Sequence, residues 1–321
     1  MGRRLFKPEV FQGDLKKTGY FEGWYFKHVR KDTKTIALIP GVSIESKHSG
    51  HAFIQVLDGI TDTSEYVQFS LADFSASKQD VDIHIANNRF TLSGLELDID
   101  RPGMKLKAHV VYDGITPFPV TLLSPGIMGW YSYLPRMECF HGVVSMKHAV
   151  SGSISCNGNT YDLTGGTGYI EKDWGSSFPR DYIWVQCSDF PTLEASFMLS
   201  VASIPWMGSE FTGFLCFFNT GSRLYRFATY TRAHIQHLNS DSHSLAIRLY
   251  DRHHTLTVEI QGEQGRELVA PEHGEMKRTI KESVISRINV TLEDKNGHHI
   301  YSGEGFPAGF EQAGDISNLF T

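Results

Sequence analysis

Long apolar runs are missing from this sequence. The longest, such as SFMLSVASIPW at 196–206, reaches about half of the roughly 20 residues that a membrane-spanning helix needs. Cysteine is sparse: four residues, at 139, 156, 187 and 216, with no CxxC and no paired zinc spacing. Free thiols in a reducing cytosol are the simplest reading, so neither a disulfide framework nor a zinc site is expected. Runs of Lys and Arg are absent as well, and a net charge of −6 with a pI near 6.2 gives no nucleic-acid track. The opening MGRRLF is basic, but KPEVFQGDLKK follows instead of an apolar segment. No secretory signal is therefore expected, Phe6 argues against N-myristoylation, and a cytoplasmic location follows. GxSxG and HExxH do not occur, and TGGTGY at 164–169 stays in a strand-like context. A hydrolase elbow, a zinc-protease site and a nucleotide cofactor are all unsupported. Of the 15 histidines, eight fall in the clusters HSGH (48–51), HIQH (234–237), His253-His254 and His298-His299, in polar turn contexts that read as solvated surface. No metal and no cofactor are expected.

What is there is mostly β. Short runs rich in β-branched and aromatic residues, such as GWYFKHV, HAFIQVLD, EYVQFSLADF and KLKAHVVYD, are separated by turn residues. YIWVQCSD, TGFLCFFN, LAIRLYD and RINVTLED repeat the style in the second half. Asn-Gly at 157–158 and at 296–297 reads as a hairpin turn each time. No window sustains a 3.6-residue apolar period, and only ISNLF at the C-terminus reads as a short helix.

The halves resemble one another. Trp24 and Trp184 both open a strand, Ala52–Val56 matches Gly213–Phe217 in spacing from its tryptophan, and Tyr66 matches Tyr225. Near the ends, Gly168-Tyr169-Ile170-Glu171 parallels Gly309-Phe310-Glu311. Two all-β units follow, at 1–177 and 178–321, each fitting a closed or nearly closed antiparallel barrel with a plain sandwich as the alternative. The mismatch between halves is an apolar insertion at 115–140, which reads either as a binding loop or as a plug for a barrel end.

Chemistry concentrates in TGYIEKDWGSSFP, 167–179. On a strand, Tyr169, Glu171 and Asp173 share one face, while Lys172 and Trp174 point the other way. Paired carboxyls on one face form a candidate acid, or else an ion-pair network with Lys172, Arg180 or Arg136. Glu138 and His141, in MECFHG, are further proton-handling candidates. Glu22 and Trp24 in FEGWYF, with Trp130, Tyr131, Tyr133, Trp174 and Trp184, are candidates to line a site for an apolar substrate.

Three stretches carry a resemblance to a known family. YFEGWYFK (20–27), PGIMGWYSYLPRMECFHGVVSMKH (125–148) and GYIEKDWGSSFP (168–179) resemble signature stretches of the tocopherol cyclases. The likeness runs on to the C-terminal AGFEQAGDI. That family is similar to carotenoid 1,2-hydratases and other two-domain lipocalin-like proteins, where the segment resembles Y-x-D-x-N-W-G. Laid on this sequence, the pattern places the acid at Glu171 and the tyrosine at Tyr169. Asp173 stands where the pattern has Asn, and Trp174-Gly175 match it directly.

The resemblance implies two tandem lipocalin-like antiparallel barrels and acid-triggered chemistry at a prenyl double bond. Tocopherol cyclases close a chromanol ring on a prenylated hydroquinone, an isomerisation; the hydratases add water to an alkene. Such an acid must keep its proton near neutral pH, which burial and a neighbouring carboxylate both favour. Tyr169 would position the nucleophile, and the indoles of Trp24, Trp130 or Trp174 would steady developing positive charge. The partner is then an apolar small molecule, with no nucleic acid and no membrane insertion beyond transient contact. A non-catalytic carrier for a lipophilic molecule is the rival reading, and pericyclic ring closure a third.

Overall fold

The computed structural model describes residues 2–135, 137–192, 194–206, 208–241, 243–262 and 265–320. Strand alternation explains most of it. In Met104–Asp113 (MKLKAHVVYD) burial alternates strictly, so Met104, Leu106, Ala108, Val110 and Tyr112 enter the core while Lys105, Lys107 and His109 meet solvent. Several strands break this habit: Tyr20–Val29 and Tyr182–Cys187 are buried almost throughout, Thr35–Ser46 nearly so, and Gly166–Gly175 from Gly168 to Lys172. Polar side chains on those buried stretches are hidden from water whichever way they point.

Twelve antiparallel strands form the first sheet. Tyr20–Val29, Thr35–Ser46, Ser49–Asp58 and Thr63–Ser70 make a four-strand meander. Gly166–Gly175, the last strand, returns to pair with the first, and Cys139–Cys156 lies on its far side. From there the sheet runs back through Met104–Asp113 and Gly94–Arg101 to the short strand Phe74–Ala76. The second sheet repeats the scheme with ten strands: Tyr182–Cys187 opens it, His299–Ala313 closes onto that strand, and Leu224–Ala228 and His234–Ser240 are its ends. Each sheet wraps its own core, the first around Trp24, Phe26, Phe90 and Ile170, the second around Phe197, Phe218, Val258 and Ile288.

The architecture is all-β and lipocalin-like, but the barrels do not close. In the first sheet the hydrogen-bonded path ends at Thr63–Ser70 and Phe74–Ala76, which are consecutive yet unpaired. A 3-10 turn, Leu71–Asp73, joins them, with the Ser70 hydroxyl accepting the Ala72 amide at 3.2 Å. That turn redirects the chain instead of folding it into a hairpin, and a three-residue strand offers little edge to pair with. Thr229–Thr231 does the same in the second sheet, ending at Arg232 in the left-handed region.

The chain forms two compact units, Met1–Phe178 with Leu268–Thr279, and Pro179–Glu267 with Ile280–Thr321. Within the first, Gln55 exchanges two hydrogen bonds with the Val269 backbone at 2.8 and 2.9 Å, and the Ser43 hydroxyl donates to Gly274 at 2.6 Å. Among the described residues no helix is long and apolar enough to cross a membrane. The insertion between Asp113 and Cys139 holds one 3-10 turn, Gly129–Tyr133. Ile127, Met128 and Gly129 are buried, while the stretch before them is mostly exposed.

Candidate active site

Register decides what meets the acidic strand. Gly166–Gly175 lies between Tyr20–Val29 and Cys139–Cys156, so Tyr25 and Val143 flank Glu171, and Gly23 and His141 flank Asp173. Lys172 falls between Trp24 and Gly142, and Trp174 between Glu22 and Phe140. Cross-strand partners share a face. Tyr169, Glu171, Asp173, Tyr25 and His141 therefore lie on the face turned away from the first core, and Lys172, Trp174, Trp24 and Glu22 on the face turned toward it. Gly175 ends the strand in a backbone shape that favours glycine, where a Cβ would come within 2.1 Å of the Glu138 carbonyl oxygen.

On the outward face the groups form one array. The Tyr169 hydroxyl donates to Glu171 Oε2 at 2.6 Å, with both residues buried. His141 Nδ1 lies 2.9 Å from Asp173 Oδ1, and its Nε2 lies 3.6 Å from Glu171 Oε2. Burial opposes a charged imidazole here, but Asp173 and Glu171 together outweigh it and raise the pKa of His141 to about 9. At neutral pH the ring is an imidazolium that donates Nδ1–H to Asp173. Its Nε2 is buried and makes no hydrogen bond, which leaves that N–H available. Burial, then Glu171, drives the Tyr169 phenol well above its ordinary range, so it stays a donor. The Cys139 thiol, 3.8 Å from Asp173 Oδ1, is held protonated by burial and by that carboxylate.

The inward face is a closed structural arrangement. Lys172 Nζ pairs with Glu22 at 2.5 Å, both fully buried, and donates to the carbonyls of Pro8, at 3.0 Å, and Val10. Glu22 also accepts the amides of Gln12 and Gly13 and the Tyr20 hydroxyl. The ammonium sits 4.9 Å from the Trp24 ring and 4.6 Å from the Trp174 ring. Two of the indoles expected to face a substrate cation thus hold the protein's own cation instead, on the far side of the sheet from Glu171.

The remaining candidates scatter. Glu138 has an exposed side chain, and its carbonyl accepts the amides of Ser176 and Ser177 at 2.8 and 3.3 Å. Trp130 and Tyr133 are each 47% exposed; Tyr131 packs at a tilt against Trp130 with ring centroids 4.4 Å apart. Trp184 is buried in the second unit, off that unit's core. Of the basic residues weighed as partners for the acids, Lys172 is committed to Glu22, Arg180 bonds Asp181 and Glu210, and Arg136 lies outside the described residues. Sequence reasoning passed over Tyr25 and Cys139, and read Met128 only as one of the apolar residues of the insertion. The Met128 thioether accepts the His141 amide at 3.1 Å, tying the insertion to the site. Tyr25 stands next to Trp24 in the same quoted motif, and only register could have preferred it. One ligand atom each from His141, Glu171 and Asp173 lies within 4.8 Å of the others, a spacing that could hold a cation once the imidazole has lost its proton.

Two open, lipocalin-like β units, with a phenol–carboxyl–imidazole array on the paired strands Gly166–Gly175 and Cys139–Cys156 of the first, define the class: two-domain lipocalin-like proteins. Within that class the chain belongs to the tocopherol cyclase-like family, whose model matches residues 120–314. It is 30% identical over 74 residues to the chloroplastic tocopherol cyclase of Zea mays, covering 23% of this chain and 16% of that protein. It is 32% identical over 84 residues to the probable chloroplastic tocopherol cyclase of Oryza sativa subsp. japonica, covering 26% and 18%. Each match thus spans less than a fifth of the plant protein's length. Among solved structures it is similar to kievitone hydratase from Nectria haematococca, with TM-score 0.51 and 10% identity over 96% of this chain and 94% of that one. It is also similar to CghA in complex with Sch210972, with TM-score 0.59 and 8% identity over 92% and 89%. At such identities the likeness is one of fold.

Proposed function

We propose that this protein is an acid-catalysed cyclase or hydratase acting on a prenyl double bond in an apolar isoprenoid or prenylated hydroquinone. The observation that carries the reading is the array of buried Tyr169 and Glu171 with half-buried His141 and Asp173, one imidazolium among two carboxyls. Membership of the tocopherol cyclase-like family supports this reading.

Glu171 delivers its proton to the less substituted olefin carbon, which leaves a tertiary cation at the other. A phenol oxygen of the substrate, or a water molecule, forms the new C–O bond, and its proton returns to Glu171 through Tyr169. Cyclisation is therefore an isomerisation, and hydration adds one water. His141 supplies that proton: its imidazolium Nε2 lies 3.6 Å from Glu171 Oε2, hands the proton to Glu171 for delivery and takes it back once the nucleophile's proton has returned. Asp173 keeps that imidazole charged and oriented, a positioning role rather than a catalytic one.

The test uses a prenylated hydroquinone in D2O. The product is expected to carry one deuterium on the carbon that was protonated, and Glu171→Gln is expected to lower the rate by about 10²–10⁴-fold while the fold persists. A product with no deuterium would indicate pericyclic closure, and an unchanged rate in Glu171→Gln would remove Glu171 from the chemistry.

A further inference from the structure

The insertion carries the most apolar exposed surface of the first unit. Leu122 and Leu123 are 78% and 85% exposed, and Val120, Trp130 and Tyr133 are each at least 40% exposed. Thr121 and Ser124 bridge one another through two backbone hydrogen bonds, of 2.8 and 3.1 Å, so the leucine pair is the tip of a tight two-residue turn. The Tyr133 hydroxyl donates to the Leu122 carbonyl and braces that tip against the 3-10 turn. Phe6 packs edge-on against Tyr133, with ring centroids 6.5 Å apart. From Ile115 to Pro135 not one residue is Asp, Glu, Lys, Arg or His, in a chain that is 21% charged. At its inner end the same segment buries Ile127 and Met128, and Met128 touches the His141 backbone.

We infer that this tip docks on the surface of a lipid bilayer, inserting Leu122 and Leu123 among the acyl chains with Trp130 and Tyr133 at headgroup level. Exposed leucines at an apex flanked by a tryptophan and a tyrosine match the gradient of an interface, apolar at depth and amphipathic at the rim. An uncharged segment has no ion to strip of water on entering. A second protein chain fits less well. Five side chains offer on the order of 500 Å², against about 800 Å² a side in a standard protein interface. The inference rests on the reading of an apolar substrate, because it has the substrate held in the membrane and passed along the insertion toward His141 and Glu171.

Co-sedimentation with phosphatidylcholine vesicles tests it, since zwitterionic lipid isolates apolar insertion from charge attraction. The wild-type protein is expected to bind equally in low and high salt, and Leu122→Asp/Leu123→Asp to bind at least about tenfold more weakly. The double variant is expected to keep its circular dichroism and its rate on a short-chain prenyl hydroquinone dispersed in detergent. Wild-type protein that stays in the supernatant overturns the docking surface, as does binding abolished by salt. A self-associated species dissolved by the same substitutions assigns the tip to a second copy of the chain and equally overturns it. Turnover without vesicle binding removes the docking alone; vesicle binding without turnover leaves the docking and removes the enzymatic reading.

Discussion

His141 is where one residue's ionisation becomes a property of the protein. Its pKa stands near 9 in the folded chain and near 6.5 when unfolded, because Asp173 and Glu171 outweigh the cost of burial. The folded state thus holds the proton more tightly, and the resulting stabilisation, about 3 kcal/mol, is complete below pH 6.5 and gone above pH 9. Urea denaturation between pH 6 and 10 is expected to show that decline, and His141→Gln to flatten it. Catalysis is expected to share the alkaline limit, since loss of the imidazolium removes the proton that Glu171 delivers. Of the residues involved, Glu171, Asp173 and Tyr169 were legible from alternation on a strand, and His141 from its residue type. What was not legible was that His141 bridges the two carboxyls, because the pairing of Cys139–Cys156 with Gly166–Gly175 spans some thirty residues and a register that sequence does not print.

At the scale of elements, the strand Gly166–Gly175 carries two chemistries on two faces. Lys172 on the inward face is bound by Glu22 and two carbonyls between two indoles, and burial lowers its pKa while Glu22 raises it. Removing one partner strands the other, so Lys172→Met is expected to cost about 3–5 kcal/mol in thermal or chemical denaturation. A double change with Glu22→Leu should recover only part of that, because the amides of Gln12 and Gly13 then lose their acceptor. Strand character and repeat were readable from the sequence: Trp24 and Trp184 do open the two sheets, and Asn157-Gly158 sits in a hairpin with both residues at positive φ. Equivalence by strand did not extend to equivalence by face. Trp24 enters the first core, whereas Trp184 lies off the second, paired with Glu311. A one-residue slip reverses every side chain on a strand, and motif spacing accurate to a residue or two cannot exclude it.

For the molecule as a whole, two neutral histidines of the first unit contribute to the loss of stability in acid. His28 bonds the Tyr112 hydroxyl at 2.7 Å and His148 bonds Ser145 at 3.0 Å, and burial lowers their pKa values to about 4 and about 3. Both groups bind a proton more readily when unfolded. Stability is therefore expected to fall as pH drops below 6.5, by up to about 1.4 kcal/mol per pH unit for each histidine, until their folded pKa values are reached. Calorimetry from pH 7 to 4 checks this, and His148→Gln should soften the slope.

Composition and alternation determined an all-β chain of two related units, because side-chain period and turn chemistry are local. They also determined that Tyr169, Glu171 and Asp173 share a face. Tertiary structure alone decided that the sheets stay open, that Trp24 and Trp174 hold Lys172, and that His141 stands between the acids. Those outcomes depend on which strands pair and in what register, which are non-local choices that no short window of sequence contains.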